Sequence, residues 1–386
     1  VQDTVNTTGN RDENRRVGVG GDMRLTERLN LVGEVSEGDL GPAGKIGTEY
    51  LYSDKTTLYQ NYTLENERSD NGLLARKGNM TSGFRTRYSD SMSVFLEERY
   101  SHGDIPTGLT HSTGVDLAVT ERLNLEGNLD FGSLKDPQTA AEIDRKTISG
   151  SIGYGFDHVK LASGLEYRVD ENEQPDTGFT KRTTWLFKNN LKYQISQDWR
   201  LLGKFNYSLS ESSLGDFYDG DYTEAVLGFG YRPIYHDRLN VLLKYTYFYN
   251  LPPADQTSYG NTSYSNIQRS HIGAIDFMYD LTSRWTVGGK YAYRHGEVAT
   301  DREQPDYFKS RAHLYVLRAD WHFIHRWDAL VEGRWLDLPD ADDRRSGALV
   351  GLYRHVGNHI KFGVGYNFSD FSDDLTQLDY RHQGVF

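Results

Sequence analysis

The chain has 386 residues, a formal charge of −12, no cysteine and a mean hydropathy of −0.68. No apolar run approaches the roughly 18 residues of a spanning helix, which excludes a helical membrane protein, and the acidic charge argues against nucleic acid as a partner. The lack of cysteine excludes disulfide frameworks and thiolate sites, whereas an aromatic fraction of 13% indicates a folded chain.

Short polar turns recur along the whole chain and divide it into segments. The hexapeptide TERLNL even occurs twice, at 26–31 and 120–125. In chain order the ten predicted turns are 26–28, 53–55, 89–91, 120–122, 157–158, 196–198, 235–237, 282–284, 324–326 and 357–358. Each turn is predicted to join the two strands of a hairpin.

Longer polar connections alternate with these turns. They are predicted at 66–78, 134–146, 170–181, 211–221, 251–266, 297–309 and 369–380. Ten hairpins give 20 strands, a return strand toward Phe386 adds one, and a remnant before residue 6 completes an even number. We therefore predict about 22 strands, of which 20 to 22 are visible.

The segments between turns alternate between apolar and polar residues, with exceptions such as Leu242 and Phe248. In 360–369, for example, Phe362, Val364 and Tyr366 alternate with glycine and polar residues. Such alternation puts successive side chains on opposite faces of a strand, and lengths of about ten residues suit a tilted strand that crosses a bilayer. The predicted fold is an all-β, transmembrane, antiparallel up-and-down β-barrel with short periplasmic turns and long extracellular loops.

The polar face of these strands is predicted to line a hydrated lumen, because burying its charges in a dry core would cost several kcal/mol each. Closure of the sheet pairs the backbone N–H and C=O groups of its edge strands, as a bilayer requires. The predicted lumen-lining charged residues are Arg85, Arg87, Glu98, Glu166, Arg168, Lys188, Lys192, Lys204, Arg232, Lys244, Lys290, Arg294, Arg318, Glu332, Arg334 and Lys361.

Aromatic residues gather near both ends of the predicted strands, as is typical of the girdles where a membrane meets water. The alternative is that they belong to the core of a soluble sheet, which the one-sided polar faces disfavour. The predicted girdle residues are Trp185, Trp199, Trp285, Trp321, Trp327, Trp335, Tyr207, Tyr247, Tyr249 and Tyr293.

Several stretches of the second half resemble bacterial outer-membrane β-barrels. These stretches are 214–224 (LGDFYDGDYTE), 242–251 (LLKYTYFYNL), 285–293 (WTVGGKYAY), 337–351 (DLPDADDRRSGALVG) and 358–374 (NHIKFGVGYNFSDFSDD). More narrowly, the chain resembles the C-terminal barrel domain of large repeat-bearing envelope proteins described as OmpA-like. That resemblance implies a surface-anchoring or export-related domain rather than an enzyme.

Residues that could carry chemistry are sparse. No G-x-S-x-G or HExxH motif is present, and a relay of His313, Asp320 and His322 is disfavoured because His313 falls on the opposite strand face. Three loop residues, Asp216, Asp219 and Asp221, are weak candidates for Ca²⁺ ligands, and a solvated loop is the favoured interpretation. No catalytic residue, cofactor or metal site is predicted.

The leading functional hypothesis is a non-enzymatic barrel in the outer membrane of a Gram-negative bacterium, where it anchors or displays a larger envelope protein. The alternative is a general diffusion porin with a charged lumen, and an outer-membrane enzyme ranks third. Expected partners are outer-membrane lipid and lipopolysaccharide, together with upstream domains of the same polypeptide or a periplasmic or surface partner. Residues 1–386 are expected to form one barrel domain, and the sequence leaves open whether upstream domains and the end of the final strand are missing.

Overall fold

Backbone pairing joins the alternating segments into an antiparallel meander. The structure is a computed structural model that describes residues 16–38, 41–68, 74–137, 141–174, 178–251, 267–302, 304–324, 326–356, 360–369, 371–373, 378–380 and 384–385. The strands are β1 (Arg16–Arg24), β2 (Leu29–Gly38), β3 (Ala43–Ser53), β4 (Thr56–Arg68), β5 (Leu74–Ser89), β6 (Met92–Gly103), β7 (Thr107–Thr120), β8 (Leu123–Lys135), β9 (Glu142–Gly155), β10 (Val159–Gln174), β11 (Gly178–Gln194), β12 (Trp199–Ser212), β13 (Gly220–Tyr231), β14 (Leu239–Leu251), β15 (Ile267–Thr282), β16 (Trp285–Ala299), β17 (Phe308–Ile324), β18 (Trp327–Leu338), β19 (Asp343–Val356), β20 (Ile360–Asn367), β21 (Phe371–Asp373), β22 (Leu378–Tyr380) and β23 (Gly384–Val385).

Each strand from β1 to β20 pairs antiparallel with the next strand in the chain, and β23 pairs with β20 through Tyr366 and Val385. The short strands β21 and β22 form a separate pair. The predicted all-β, up-and-down barrel is therefore confirmed, with 20 long strands among the described residues. The remnant strand before residue 6 and the end of the last strand at Phe386 lie outside those residues.

Hydroxyl side chains fix the short turns and explain why serine or threonine opens so many of them. Thr26 Oγ1 accepts hydrogen bonds from the backbone N–H groups of Arg28 (3.2 Å) and Leu29 (3.0 Å). In the second copy of the hexapeptide, Thr120 Oγ1 does the same for Arg122 (3.1 Å) and Leu123 (3.0 Å). Each hydroxyl thus satisfies N–H groups that the strand pairing leaves free. We refer to this end of the barrel as the turn end.

The opposite end, the loop end, carries the longer connections, and several strands extend further there than predicted. The sequence predicts a connection at 170–181, yet β10 continues to Gln174 and β11 begins at Gly178. Outside the bilayer both faces of a strand meet water, so the sequence loses its alternation there while the backbone still pairs. No helix in the described residues is long and apolar enough to span a membrane.

The two faces of the sheet are inverted relative to a soluble protein. On β17 and β18, Leu317 is 60% exposed and Val331 is 56% exposed, whereas Glu332 is 7% exposed and Arg334 is fully buried. Apolar side chains on the outside and charged ones within are what a barrel in lipid requires. We call these the outer face, which contains Leu317 and Val331, and the inner face, which contains Glu332 and Arg334.

All ten predicted girdle aromatics lie on the outer face, as the strand register shows. Trp199 and Tyr207, Trp285 and Tyr293, and Trp327 and Trp335 are each eight residues apart on one strand. Eight residues span about 26 Å along a strand, or about 20 Å in height at a tilt of roughly 40°. The aromatic rows therefore lie within about one residue of the edges of a roughly 25 Å apolar band.

Candidate functional site

The inner face of the barrel is the candidate functional surface, and most predicted lumen charges lie on it. The register places these predicted residues there: Arg85, Arg87, Glu166, Arg168, Lys188, Lys192, Lys204, Lys244, Lys290, Arg294, Arg318, Glu332 and Arg334. They come from distant parts of the sequence and share the same wall because every strand contributes alternate residues to it.

Two of the predicted lumen residues differ from this pattern, and a third is not described. Glu98 lies on the outer face, paired in register with His111, so its lumen assignment is wrong. Its neighbour Glu97 is the inner-face residue and accepts a hydrogen bond from Tyr59 Oη (2.6 Å). Arg232 is also misassigned, since it lies in the exposed connection between β13 and β14. The side chain of Lys361 lies outside the described residues.

Acidic partners that the sequence analysis did not single out neutralise many of the inner-face cations. Glu224 binds Lys204 (2.8 Å), and Asp276 lies 3.5 Å from Lys290. A further cross-strand pair joins Arg145 to Asp170 (2.7 Å), whereas Arg318 pairs within its own strand with Asp320 (2.7 Å), the residue weighed above for a relay. The alternation alone could have identified these acids, because they fall on the same face of their strands as the cations do. The cross-strand pairs brace the wall and leave few net charges there.

Three lysines on the inner face of β10–β12, Lys160, Lys188 and Lys192, are an exception, because they lack the acidic partner that Lys204 has in Glu224. Lys188 is exposed and stands opposite Gly164 and Asn206, and Lys192 is exposed opposite Lys160 and Leu202. Among the described residues, no hydrogen bond or ion pair involves the ammonium groups of these three lysines. This part of the wall therefore carries an unbalanced positive charge.

The inner face of β15–β18 carries an unexpected apolar patch among its charged residues. Ala292, Ala312, Leu314, Val316 and Leu336 are buried in one cluster. Next to this cluster, Arg334 Nε donates a hydrogen bond of 2.6 Å to Glu332 Oε1, and both side chains are buried. The alternation of the strands predicts a hydrated face here, but the inward side chains of four neighbouring strands are small or aliphatic enough to pack against one another. The wall thus carries unpaired lysines on β10–β12 and a packed apolar patch on β15–β18.

The aspartates proposed as weak metal ligands lie around the connection between β12 and β13. Asp216 is exposed in a short 3-10 helix, and the Asp219 carboxylate accepts a hydrogen bond from the backbone N–H of Ser212 (2.7 Å). Asp221 lies above the aromatic row, where burial raises the pKa of its carboxyl and so weakens it as a cation ligand. Within the described ranges, no three acidic or histidine side chains have metal-binding geometry.

The side chains of His313, Asp320 and His322 do not form a proton relay, because each is bonded to another partner. His313 lies on the outer face and hydrogen-bonds Tyr291 Oη (3.1 Å), while the Asp320 carboxylate accepts from Arg318. His322 instead bonds to Asp328, whose other carboxylate oxygen bonds to His355 Nε2 at 2.7 Å. These contacts tie β17, β18 and β19 together near the turn end and present no nucleophile beside a base.

An ion pair at the loop end makes a testable contribution to stability. Arg311 donates to both carboxylate oxygens of Asp340, at 2.7 Å and 2.6 Å from its Nη2 and backbone N, and lowers the pKa of that carboxyl. A carboxyl with a lower pKa in the folded chain stabilises it above the unfolded pKa of about 4 and loses that contribution as the pH falls through the folded value.

Asp340→Asn should therefore lower the urea midpoint of unfolding at pH 7, and the deficit relative to the unmodified chain should shrink toward pH 2. Tryptophan fluorescence of the refolded barrel measures both midpoints. Asp342→Asn in the same turn is the matched control and should leave the midpoint unchanged at both pH values. A deficit that is equally large at pH 2 would refute the ionic origin of the effect.

Solved structures of outer-membrane transporters share this fold. The chain matches the unliganded ferric citrate transporter FecA (TM-score 0.58, 11% identity, 97% of this chain and 74% of that chain). It also matches the copper transporter OprC (0.52, 9%, 92% and 66%) and the FrpB iron transporter from Neisseria meningitidis (0.51, 12%, 89% and 69%). The chain thus spans just under two thirds of the OprC structure.

Identities this low show the fold alone, which is that of an outer-membrane β-barrel. They support the broader part of the resemblance given above and not the narrower one to repeat-bearing envelope proteins. No protein-family model and no curated protein sequence matches the chain.

Proposed function

We propose that the chain is a non-enzymatic diffusion pore of the bacterial outer membrane, with a lumen that prefers anions. The observation that carries this proposal is the inner wall of β10–β12, where Lys160, Lys188 and Lys192 face the lumen without acidic partners. Unbalanced cations along a low-dielectric wall raise the local concentration of anions and favour their entry. The neighbours named as copper and iron transporters support a role in passage across the membrane.

The anion preference gives the first test of the pore. A refolded barrel in a planar bilayer should conduct steadily, and its reversal potential across a KCl gradient should have the sign of chloride preference. Lys188→Glu should shift that potential toward cation preference, because it inverts a charge in the lumen. Lys146→Glu makes the same change on the outer face at the loop end, where Lys146 is exposed, and should not shift it.

A folded but silent barrel would refute the pore and favour the second candidate, an anchor that displays a larger envelope protein. The observation that favours the anchor is the packed apolar patch on the inner wall of β15–β18, where Leu314 is fully buried. An anchor has no need of an open lumen, and its partners would be upstream domains of the same polypeptide or a periplasmic or surface protein. A silent barrel would therefore agree with the narrower resemblance to repeat-bearing envelope proteins, which implies an anchor.

Lipid and lipopolysaccharide are the proposed partners of the outer face. The apolar band would contact acyl chains, and cations just above the loop-end aromatic row would meet headgroup phosphates. Supporting this, Lys309 lies on the outer face of β17, in register with Glu297 of β16, whereas Arg311 on the same face is held by Asp340. Lys309 would then meet the headgroups of an outer leaflet.

A further inference from the structure

Two lysines stand directly opposite each other near the turn end of the inner wall. Lys160 on β10 is the register partner of Lys192 on β11. Residues in such positions have Cβ atoms about 4.5–5.5 Å apart, and like charges there destabilise the sheet. The next strands do not relieve the repulsion, since Lys160 faces Gly155 on β9 and Lys192 faces Leu202 on β12.

A third cation adds to this pair and is held in place. Arg200 on β12 lies diagonally across from Lys192, and its Nε donates a hydrogen bond of 2.8 Å to Gln194 Oε1. Gln194 is itself anchored, because its Nε2 donates to the backbone carbonyls of Ser196 and Gln197 in the adjoining turn (3.2 Å to the latter). The guanidinium is therefore oriented by the wall rather than by an acidic partner.

One acid, Asp157, lines the same site as these cations but is already engaged by an arginine. Asp157, in the turn between β9 and β10, accepts a hydrogen bond of 2.8 Å from Arg122 Nη2. Within the described residues, Lys160 and Lys192 have neither a hydrogen bond nor an ion pair. The uncompensated charge is thus a property of this site, whereas elsewhere on the wall cations such as Lys204 and Lys290 have acids beside them.

These cations line a cavity of about 290 Å³, which we call the turn-end cavity. Its other lining residues include Asp157 and His158, on the turn between β9 and β10. A cavity of this volume is ample for an anion of a few atoms.

We propose that the turn-end cavity binds a doubly charged oxyanion, either inorganic phosphate or a phosphomonoester, between Lys160, Lys192 and Arg200. A tetrahedral dianion can accept charge-assisted hydrogen bonds from three cations at once and removes the repulsion between the two lysines. Chloride, with one charge and no directional acceptors, cannot replace these bonds. The inference deepens the proposed pore function, which supplies the route by which the anion reaches the cavity.

Isothermal titration calorimetry tests the site on the refolded barrel in a neutral detergent at low ionic strength. Inorganic phosphate should bind saturably and at least about tenfold more tightly than chloride, which is the ratio expected for one further charge-assisted contact. Glycerol phosphate distinguishes the two sources of the anion: tighter binding than inorganic phosphate identifies an organic phosphate as the occupant, and weaker binding identifies the free ion. Phosphate binding no tighter than chloride would overturn the proposal.

Variants separate this site from a general effect of a cationic wall. Lys160→Gln and Lys192→Gln should each weaken phosphate binding by about tenfold. Lys45→Gln is the matched control, because Lys45 is an exposed inner-face lysine that faces Glu34 rather than a cation. It should leave phosphate binding unchanged. Equal phosphate affinity in Lys192→Gln and the unmodified chain would overturn the assignment.

The stability of the barrel provides a second readout, in which the loss of Lys192 is expected to be favourable when phosphate is absent. Without phosphate, Lys192→Gln should unfold at a higher urea concentration than the unmodified chain, because it removes the like-charge pair. With phosphate, the unmodified chain should gain stability by mass action, and at the same phosphate concentration the variant should gain less. A variant that is less stable without phosphate would show that Lys192 is merely a structural residue.

These measurements need no conducting pore, so the two proposals can fail separately. A barrel that is silent in bilayers yet binds phosphate retains the site and loses the pore. A conducting barrel that does not bind phosphate retains the pore and loses the site.

Discussion

Replacement of Glu332 by alanine is expected to lower the free energy of unfolding by about 3–5 kcal/mol. Glu332 is 7% exposed, and its carboxylate accepts a hydrogen bond of 2.6 Å from the fully buried Arg334. The variant leaves a buried guanidinium without its carboxylate partner beside an apolar cluster, where the charge cannot be rehydrated. Urea titration of the refolded barrel, followed by tryptophan fluorescence, measures the loss.

Two comparisons isolate burial as the cause. Asp337→Ala breaks an ion pair of similar geometry with Arg344 (2.8 Å), in which the arginine side chain is 84% exposed, and such exposed pairs contribute little. The double variant Glu332→Leu with Arg334→Leu should recover most of the loss, since it removes both buried charges. If Asp337→Ala proves as costly as Glu332→Ala, the buried pair has no special role.

Replacement of Val331 by arginine should cost about 2–4 kcal/mol, provided that the outer face meets lipid. Val331 is 56% exposed and lies midway between Trp327 and Trp335, at the centre of the apolar band. A soluble sheet would accept arginine at so exposed a position with little change. The cost therefore comes from moving the guanidinium out of water into hydrocarbon, and unfolding of the barrel from phospholipid vesicles reports it.

The depth of the substitution supplies the control. Ser346 is exposed on the outer face in register with Trp335, at the level of the loop-end aromatic row. Arginine there can reach the headgroups, so Ser346→Arg should cost only about 0–1 kcal/mol. Equal losses at the two positions would contradict the placement of the aromatic rows at the membrane boundaries.

The inner wall combines two features that bear on function in opposite directions. On one side, Lys188 and Lys192 provide an unbalanced positive surface suited to the passage of anions. On the other, Leu314 and Ala292 belong to a packed apolar cluster that offers no charge to a passing ion. The pore proposal depends on the first feature and the anchor on the second, which is why conductance is the measurement that separates them.

The strand pattern by itself determined the architecture. Period-two alternation fixes which residues of one strand share a face, and turns such as the two TERLNL copies carry the hydroxyls that close them, so hairpins, outer aromatics and most inner charges follow from local rules. The prediction failed at Glu98 because three consecutive charged residues, Glu97, Glu98 and Arg99, carry no alternation to read.

Only the tertiary structure decided which residues of different strands stand side by side. Register depends on how hairpins pair across the sheet, and no single strand encodes that relation. The opposition of Lys160 and Lys192, the apolar packing around Leu314 and the burial of Arg334 beside Glu332 all arise from it. Local sequence thus determines the face of each side chain, whereas cross-strand pairing determines its neighbours, and those neighbours set the chemistry of the wall.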